Sequence, residues 1–331
     1  MIVVSDISSH PQLPDFLSRV ESAVARTGGK PVLFGAVLNN DKELVRTLVV
    51  SGAFLDIEDP KYGTPMSVAC RGRDESMIGL LVELGAKPSM SDVLSAAESG
   101  SFAVFDAVSA IKASELSADG RQWFDAGGPD WGGELVVRCI SSGSVDIFEM
   151  AVHRFSLDVA QFTGRTSYGG IPLVSVLEKD KAGILSSMIS LGLDCDHRFG
   201  DASQNGFSGY SLISYAAHWG SKRCLRSLID ANASLTSYSN GMTPLQWAVF
   251  AASDPAGNTT TEVAVECTKM LLDAGADPSE KTQVGRTLLQ LSSKSDEMKT
   301  FLRSWIASRD ISSELGAVSS GSKPSSNLSP F

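Results

Sequence analysis

Short apolar runs with helical spacing recur along this chain, broken by polar turns at regular intervals. Leu80-Leu81-Val82-Glu83-Leu84 and Met270-Leu271-Leu272-Asp273-Ala274 each close a helical stretch and run straight into Gly85-Ala86 and Gly275-Ala276. Glycine there tolerates the left-handed conformation that ends a helix. Each of these stretches follows another that opens on Gly-x-x-Pro or Gly-x-Pro, at Gly63-Thr64-Pro65 and Gly241-Met242-Thr243-Pro244. Proline suits the first helical position because the N–H it lacks would have no partner there. The pattern predicts pairs of short helices, and Gly52 precedes Gly85 by 33 residues, which fixes the period. A unit of that size cannot bury its own apolar face and must stack on a neighbour.

Gly63-Thr64-Pro65-Met66-Ser67-Val68-Ala69 through Gly85-Ala86, and Gly241-Met242-Thr243-Pro244-Leu245-Gln246-Trp247-Ala248 through Gly275-Ala276-Asp277-Pro278, together resemble the ankyrin repeat. The resemblance implies an all-α repeat solenoid of stacked helix-turn-helix ankyrin units with short β-hairpin loops. It extends over residues 29 to 306 as a divergent array of about eight units, two matching at the level of motif and the rest by register.

The chain accordingly divides into a segment at 1–28 with a capping helix, repeats 1–3 at 29–110, an irregular connector at 111–133, and repeats 4–8 at 134–306. Residues 15 to 27 carry apolar positions three and four apart, as a cap should. Two insertions, near 200–209 and 253–261, lengthen a hairpin and a helix-helix turn. The Ser-rich stretch 307–331 is expected to be a disordered tail.

Over the full 331 residues, 43% hydrophobic and 20% charged composition is that of an ordinary folded protein. A formal charge of −10 argues against nucleic acid as a partner, since phosphate binding rests on clustered Lys and Arg. No run approaches a membrane span and the first residues lack a basic leader, so no membrane association is expected. The five cysteines, Cys70, Cys139, Cys195, Cys224 and Cys267, show no CxxC or metal-type spacing. They read as reduced thiols of a cytoplasmic, or alternatively nuclear, monomer.

Catalytic chemistry is sparse. The four histidines, His10, His153, His197 and His218, stand in no metal-binding motif. Asp194-Cys195-Asp196-His197 looks like a ligand string, but on an extended hairpin successive side chains would point to opposite faces. No metal and no cofactor are expected. Gly206-Phe207-Ser208-Gly209 misses the nucleophile-elbow spacing and is read as loop.

The family resemblance implies partner contacts at hairpin tips and at the exposed ends of first helices. Carried over by position, these are Arg71, Glu178, Lys179, His218, Trp219 and Phe250 at helix ends, and Tyr238, Asn240 and Met242 at a tip. His218, Trp219 and Phe250 fall on successive units. Either the Trp and Phe lie exposed side by side as an interface anchor, or the insertion near residue 257 folds over them as local core. The expected function is a non-catalytic adaptor that binds a protein partner through the concave groove. The alternative is a divergent small-molecule-binding protein or enzyme whose pocket is built by the insertions, with His153, His218, Asp254, Tyr215 and Glu178 as the groups available to serve it.

Overall fold

The computed structural model describes residues 30–118, 131–164, 171–200, 209–254 and 259–319. The capping segment expected at 1–28 therefore lies outside the described residues. Among the described residues, sixteen α-helices fall into eight successive pairs: α1 Lys30–Leu38 with α2 Lys42–Val50, α3 Pro65–Gly72 with α4 Glu75–Glu83, α5 Met90–Ser99 with α6 Phe102–Ala118, and α7 Trp131–Ser142 with α8 Val145–Phe155. The rest are α9 Pro172–Glu178 with α10 Ala182–Ser190, α11 Leu212–Trp219 with α12 Lys222–Asp230, α13 Pro244–Ala251 with α14 Thr261–Asp273, and α15 Leu288–Leu291 with α16 Asp296–Ser319. A 3-10 turn, Val159–Thr163, follows α8.

Local chemistry sets the helix ends. Thr64 caps α3 by accepting the Ser67 N–H at 3.0 Å, with Pro65 next in line. Thr243 and Gln246 form a reciprocal capping box on α13, as do Ser89 and Asp92 on α5 and Thr287 and Gln290 on α15. Second helices end alike. Gly52, Gly85, Gly192 and Gly275 take φ of 91°, 100°, 104° and 97°. The following residue's N–H then turns back to a carbonyl five positions earlier, as in Ala53 to Leu48, Ala86 to Leu81, Leu193 to Met188 and Ala276 to Leu271. Asn232, at φ 60°, fills this place after α12, and Ala233 makes the same bond to Leu228 at 2.9 Å. Asparagine is the residue other than glycine that best tolerates that conformation. Hairpins between pairs shrink to single antiparallel bridges, Asp59 with Gly63, Arg198 with Ser211 and Ser239 with Met242.

The described residues form two compact bodies, those within 1–176 together with 190–192, and those within 177–189 together with 193–331. In the first, α1, α3, α5 and α7 stack as one layer, and α4, α6 and α8 as a second. In the second, α11, α13 and α15 form one layer and α12, α14 and α16 the other. The core is apolar and continuous along each stack, with Leu33, Leu81, Phe105, Ile140 and Phe148 fully buried in the first body and Leu225, Ala248, Leu271 and Met298 in the second. A buried carboxylate interrupts it. Asp92, 1% exposed, accepts from the hydroxyls of Thr64 and Ser67 and, at 2.7 Å each, from the Ser89 N–H and Oγ, which ties repeat 3 to repeat 2.

Helix α6 runs to Ala118 and α7 starts at Trp131, so the ends of the connector expected at 111–133 are helical; its middle, 119–130, lies outside the described residues. The stretch expected to begin a disordered tail at 307 continues α16 as far as Ser319, because Met298, Phe301, Leu302 and Trp305 give that helix an apolar face which seeds it beyond the packed turns. Residues 320–331 lie outside the described residues.

Candidate functional site

The densest chemistry lies in the second body, where α11 and α13 stack. Tyr210 precedes α11, and its ring lies parallel to that of His218, 6.0 Å between centroids with 7° between planes. Trp247 sits 4.6 Å from Tyr210 and 4.8 Å from His218, and Phe250 lies 5.9 Å from His218 and edge-on to Trp247 at 5.7 Å. These are the separations at which aromatic pairs attract. The Trp247 indole N–H donates to the Ser239 carbonyl at 2.8 Å, so the buried ring also holds the hairpin tip. His218 Nε2 lies 2.8 Å from Asp254 Oδ2, at the start of the second insertion. At the insertion's other end Thr259 packs on Gly220. Residues 255–258 lie outside the described residues.

Trp219 belongs to a second group. Its ring stacks on Tyr215 at 5.6 Å and 11°, and the Tyr215 hydroxyl donates to Glu178 Oε1 at 2.8 Å. Burial, then the Glu178 carboxylate it donates to, pushes the Tyr215 phenol well above its ordinary range; burial and the Asp254 charge do the same to Tyr210. Trp219 and Phe250 are both half-buried. Each packs on a different partner, Trp219 on Tyr215 and Phe250 on His218 and Trp247. Consecutive residues on a helix point about 100° apart, which sends His218 and Trp219 to different neighbours.

The remaining expected positions divide by exposure. Glu178 and Lys179 are exposed, as is Asn240, which holds φ 49° at the hairpin tip; Met242 is half-buried beside it. The Tyr238 hydroxyl donates to Glu280 at 2.6 Å, and its carbonyl accepts from Arg198 at 2.6 Å. Three successive hairpins are thus tied together through Tyr238. Arg71, in the first body, is exposed and donates to the Tyr62 carbonyl and to Ser95 Oγ. Tyr210, Trp247, Arg198 and Glu280 were not singled out by sequence; the clustering of aromatics between 210 and 250 was the available signal.

Of the groups that the enzymatic alternative would need, His218 reaches Asp254 and Tyr215 reaches Glu178, while His153 stands exposed on α8 in the first body. The Tyr210, Trp247 and Phe250 rings pack around His218. A cleft of about 120 Å³ lies in the first body, lined in part by Asp56, Glu58, Lys87 and Asp92. The Asp194-Cys195-Asp196 string departs from the extended geometry expected of it. It is a turn in which Asp194 accepts the Asp196 N–H at 2.9 Å, and its three donor atoms lie within 4.8 Å of one another. Asp196 is committed to the Ser234 N–H at 2.7 Å, a tie between adjacent repeats.

The family model for the ankyrin repeat matches residues 240–283, which take in Met242 of the Ser239–Met242 bridge, α13, α14 and the Gly275 terminator. Like N-caps recur on α3, α5, α11 and α15, and like glycine terminators after α2, α4 and α10. The chain carries an ankyrin repeat at residues 240–283. Among solved structures it is similar to the crystal structure of the ankyrin repeat domain of Bcl-3, described as a unique member of the IkappaB protein family. That likeness has 20% identity and a TM-score of 0.38, covering 82% of this chain and 97% of that one. No curated protein matches the chain. Ankyrin repeats are in general protein–protein interaction modules. No helix among the described residues is long and apolar enough to cross a membrane.

Proposed function

We propose that this protein is a non-catalytic adaptor that binds a protein partner across the first-helix ends and hairpin tips of its second body. The observation that carries the reading is the half-buried Trp219 and Phe250, each braced from behind by rings and carboxylates already in place. A side chain fixed before binding loses little rotamer freedom on binding, so the desolvation of its open face is retained as affinity. The tip residues Tyr238, Asn240 and Met242, with Glu178 and Lys179, supply the polar rim around it. The cross-tie from Arg198 through Tyr238 to Glu280 keeps that rim rigid.

Affinity capture followed by quantitative mass spectrometry tests the reading, comparing wild type with Trp219→Ala and Phe250→Ala variants that keep the wild-type circular dichroism. Truncation of an interface aromatic costs about 2 kcal/mol or more, so a partner held by this face should fall by more than ten-fold in both variants. An unchanged partner set would refute the placement of the site.

A further inference from the structure

Three of the five described arginines of the first body are neutralised by a carboxylate: Arg46 by Glu83 at 3.3 Å, Arg138 by Glu98 and Glu134 at 2.8 Å each, and Arg154 by Asp106 at 2.7 Å. Arg71 and Arg73 differ. Among the described residues neither has a carboxylate within ion-pair distance, in a chain whose formal charge is −10. Both are exposed at the C-terminal end of α3, and both lean toward α5 of the next repeat. Arg71 is held by the Tyr62 carbonyl and by Ser95 Oγ, the latter at 3.4 Å, which spends only part of a five-donor fork. The Nη2 of Arg73 lies 3.8 Å from where a Cβ on Gly100 would stand. A cation at a helix C-terminus complements the helix dipole, which explains why basic residues stand here. It does not explain why one guanidinium is tied in place with N–H groups to spare.

We infer that Arg71 and Arg73 form a docking site for an extended acidic segment of a partner protein, one bearing two carboxylates two residues apart. This rests on the protein-binding reading above and adds the chemistry of a partner to it. Ser95 and Gly100, which mark the two guanidinium positions, are five residues apart on or just past α5, roughly 7.5 Å at helical rise. An extended peptide advances about 6.7 Å in two residues, with both side chains on one face. An acid-x-acid segment therefore matches the spacing, and each carboxylate can accept a bidentate pair from an arginine fork. Tyr62, 38% exposed with Lys61 Nζ 4.9 Å from its ring centre, gives the segment an aromatic shoulder with a further cation.

The test is fluorescence anisotropy of the full chain with three labelled decapeptides, one containing Glu-x-Glu, one with Gln-x-Gln in its place, and one with a single phosphoserine and no acidic residue. The Glu-x-Glu peptide should bind saturably and weaken with salt, and Arg71→Gln or Arg73→Gln should each reduce its affinity about ten-fold. Arg46→Gln, which removes an equally positive but paired residue, should leave it unchanged. Arg71→Lys keeps the charge but loses the fork, and should weaken binding even where Arg71→Gln fails to fold. The inference is overturned if Glu-x-Glu and Gln-x-Gln bind alike or not at all, if Arg46→Gln weakens binding as much as Arg71→Gln, or if only the phosphoserine peptide binds. Each of those results leaves the Trp219 and Phe250 experiment intact, because that site uses different residues in the other body.

Discussion

Gly220 closes α11 at φ 78°, directly after Trp219, and the space beside it is occupied. A Cβ added there would stand 2.2 Å from Thr259 Oγ1 and 2.9 Å from both Thr259 Cβ and Val263 Cγ1. Gly220→Ala therefore incurs two costs. The left-handed backbone costs an alanine roughly 1 kcal/mol, and forcing the end of the insertion and the first turn of α14 apart adds about 1–3 kcal/mol. Gly275 is the internal reference: it holds φ 97°, yet nothing lies within 4 Å of its would-be Cβ. Gly275→Ala should then lose only the backbone part, about 1 kcal/mol. Urea denaturation followed by tryptophan fluorescence compares the two, with hydrogen exchange of α11 and α14 as a local readout because repeat arrays need not unfold in one step. Thr259→Gly in the Gly220→Ala background should recover part of the excess, as contacting residues do in a double-mutant cycle. Equal destabilisation by Gly220→Ala and Gly275→Ala would refute the packing of the insertion against α11.

Asp92→Ala should destabilise the first body by about 3 kcal/mol, since it leaves the Thr64 and Ser67 hydroxyls and the Ser89 N–H without their buried acceptor; a loss below 1 kcal/mol in urea titration would contradict that network. Thiol alkylation read by mass spectrometry should label Cys195 first in the native protein, because Cys70, Cys139, Cys224 and Cys267 are buried and burial pushes their thiols up, that of Cys139 to about 12. Equal labelling of all five without denaturant would count against these stacks. Burial lowers the affinity of His197 for a proton despite Asp194 nearby. Its folded pKa lies below its unfolded one, so the unfolded chain takes up the proton first, and this contribution to stability is present above pH 6.5 and lost as pH falls through the folded value. His197→Asn should flatten the fall in melting temperature between roughly pH 7 and pH 5; an unchanged slope would refute the assignment.

Much of the fold was legible because its signals are local. Thr64-Pro65 and Thr243-Pro244 set helix starts within one turn, and Gly52, Gly85, Gly192 and Gly275 set helix ends by backbone conformation alone. Period and register follow from those marks, and with them the layered pairing, since apolar faces of this length have nowhere to go but onto the next repeat. Where the mark was chemically ambiguous, the sequence was silent: Asn232 does glycine's work after α12, and α16 extends past the point at which composition turns polar.

The arrangement of side chains between repeats was decided by tertiary structure. His218 and Trp219 are neighbours in the chain, yet stacking of α13 on α11 sends one to Tyr210, Trp247, Phe250 and Asp254, and the other to Tyr215 above Glu178. Tyr238 reads as a free tip residue until the next hairpin brings Glu280 to its hydroxyl. Arg71 and Arg138 are both arginines of first helices, and only the positions of the surrounding carboxylates leave one neutralised and the other with donors to spare. Local backbone preferences act over a few residues and are written in the sequence. Ring contacts and ion pairs depend on how one repeat is turned against the next, which becomes fixed only when the apolar faces have packed.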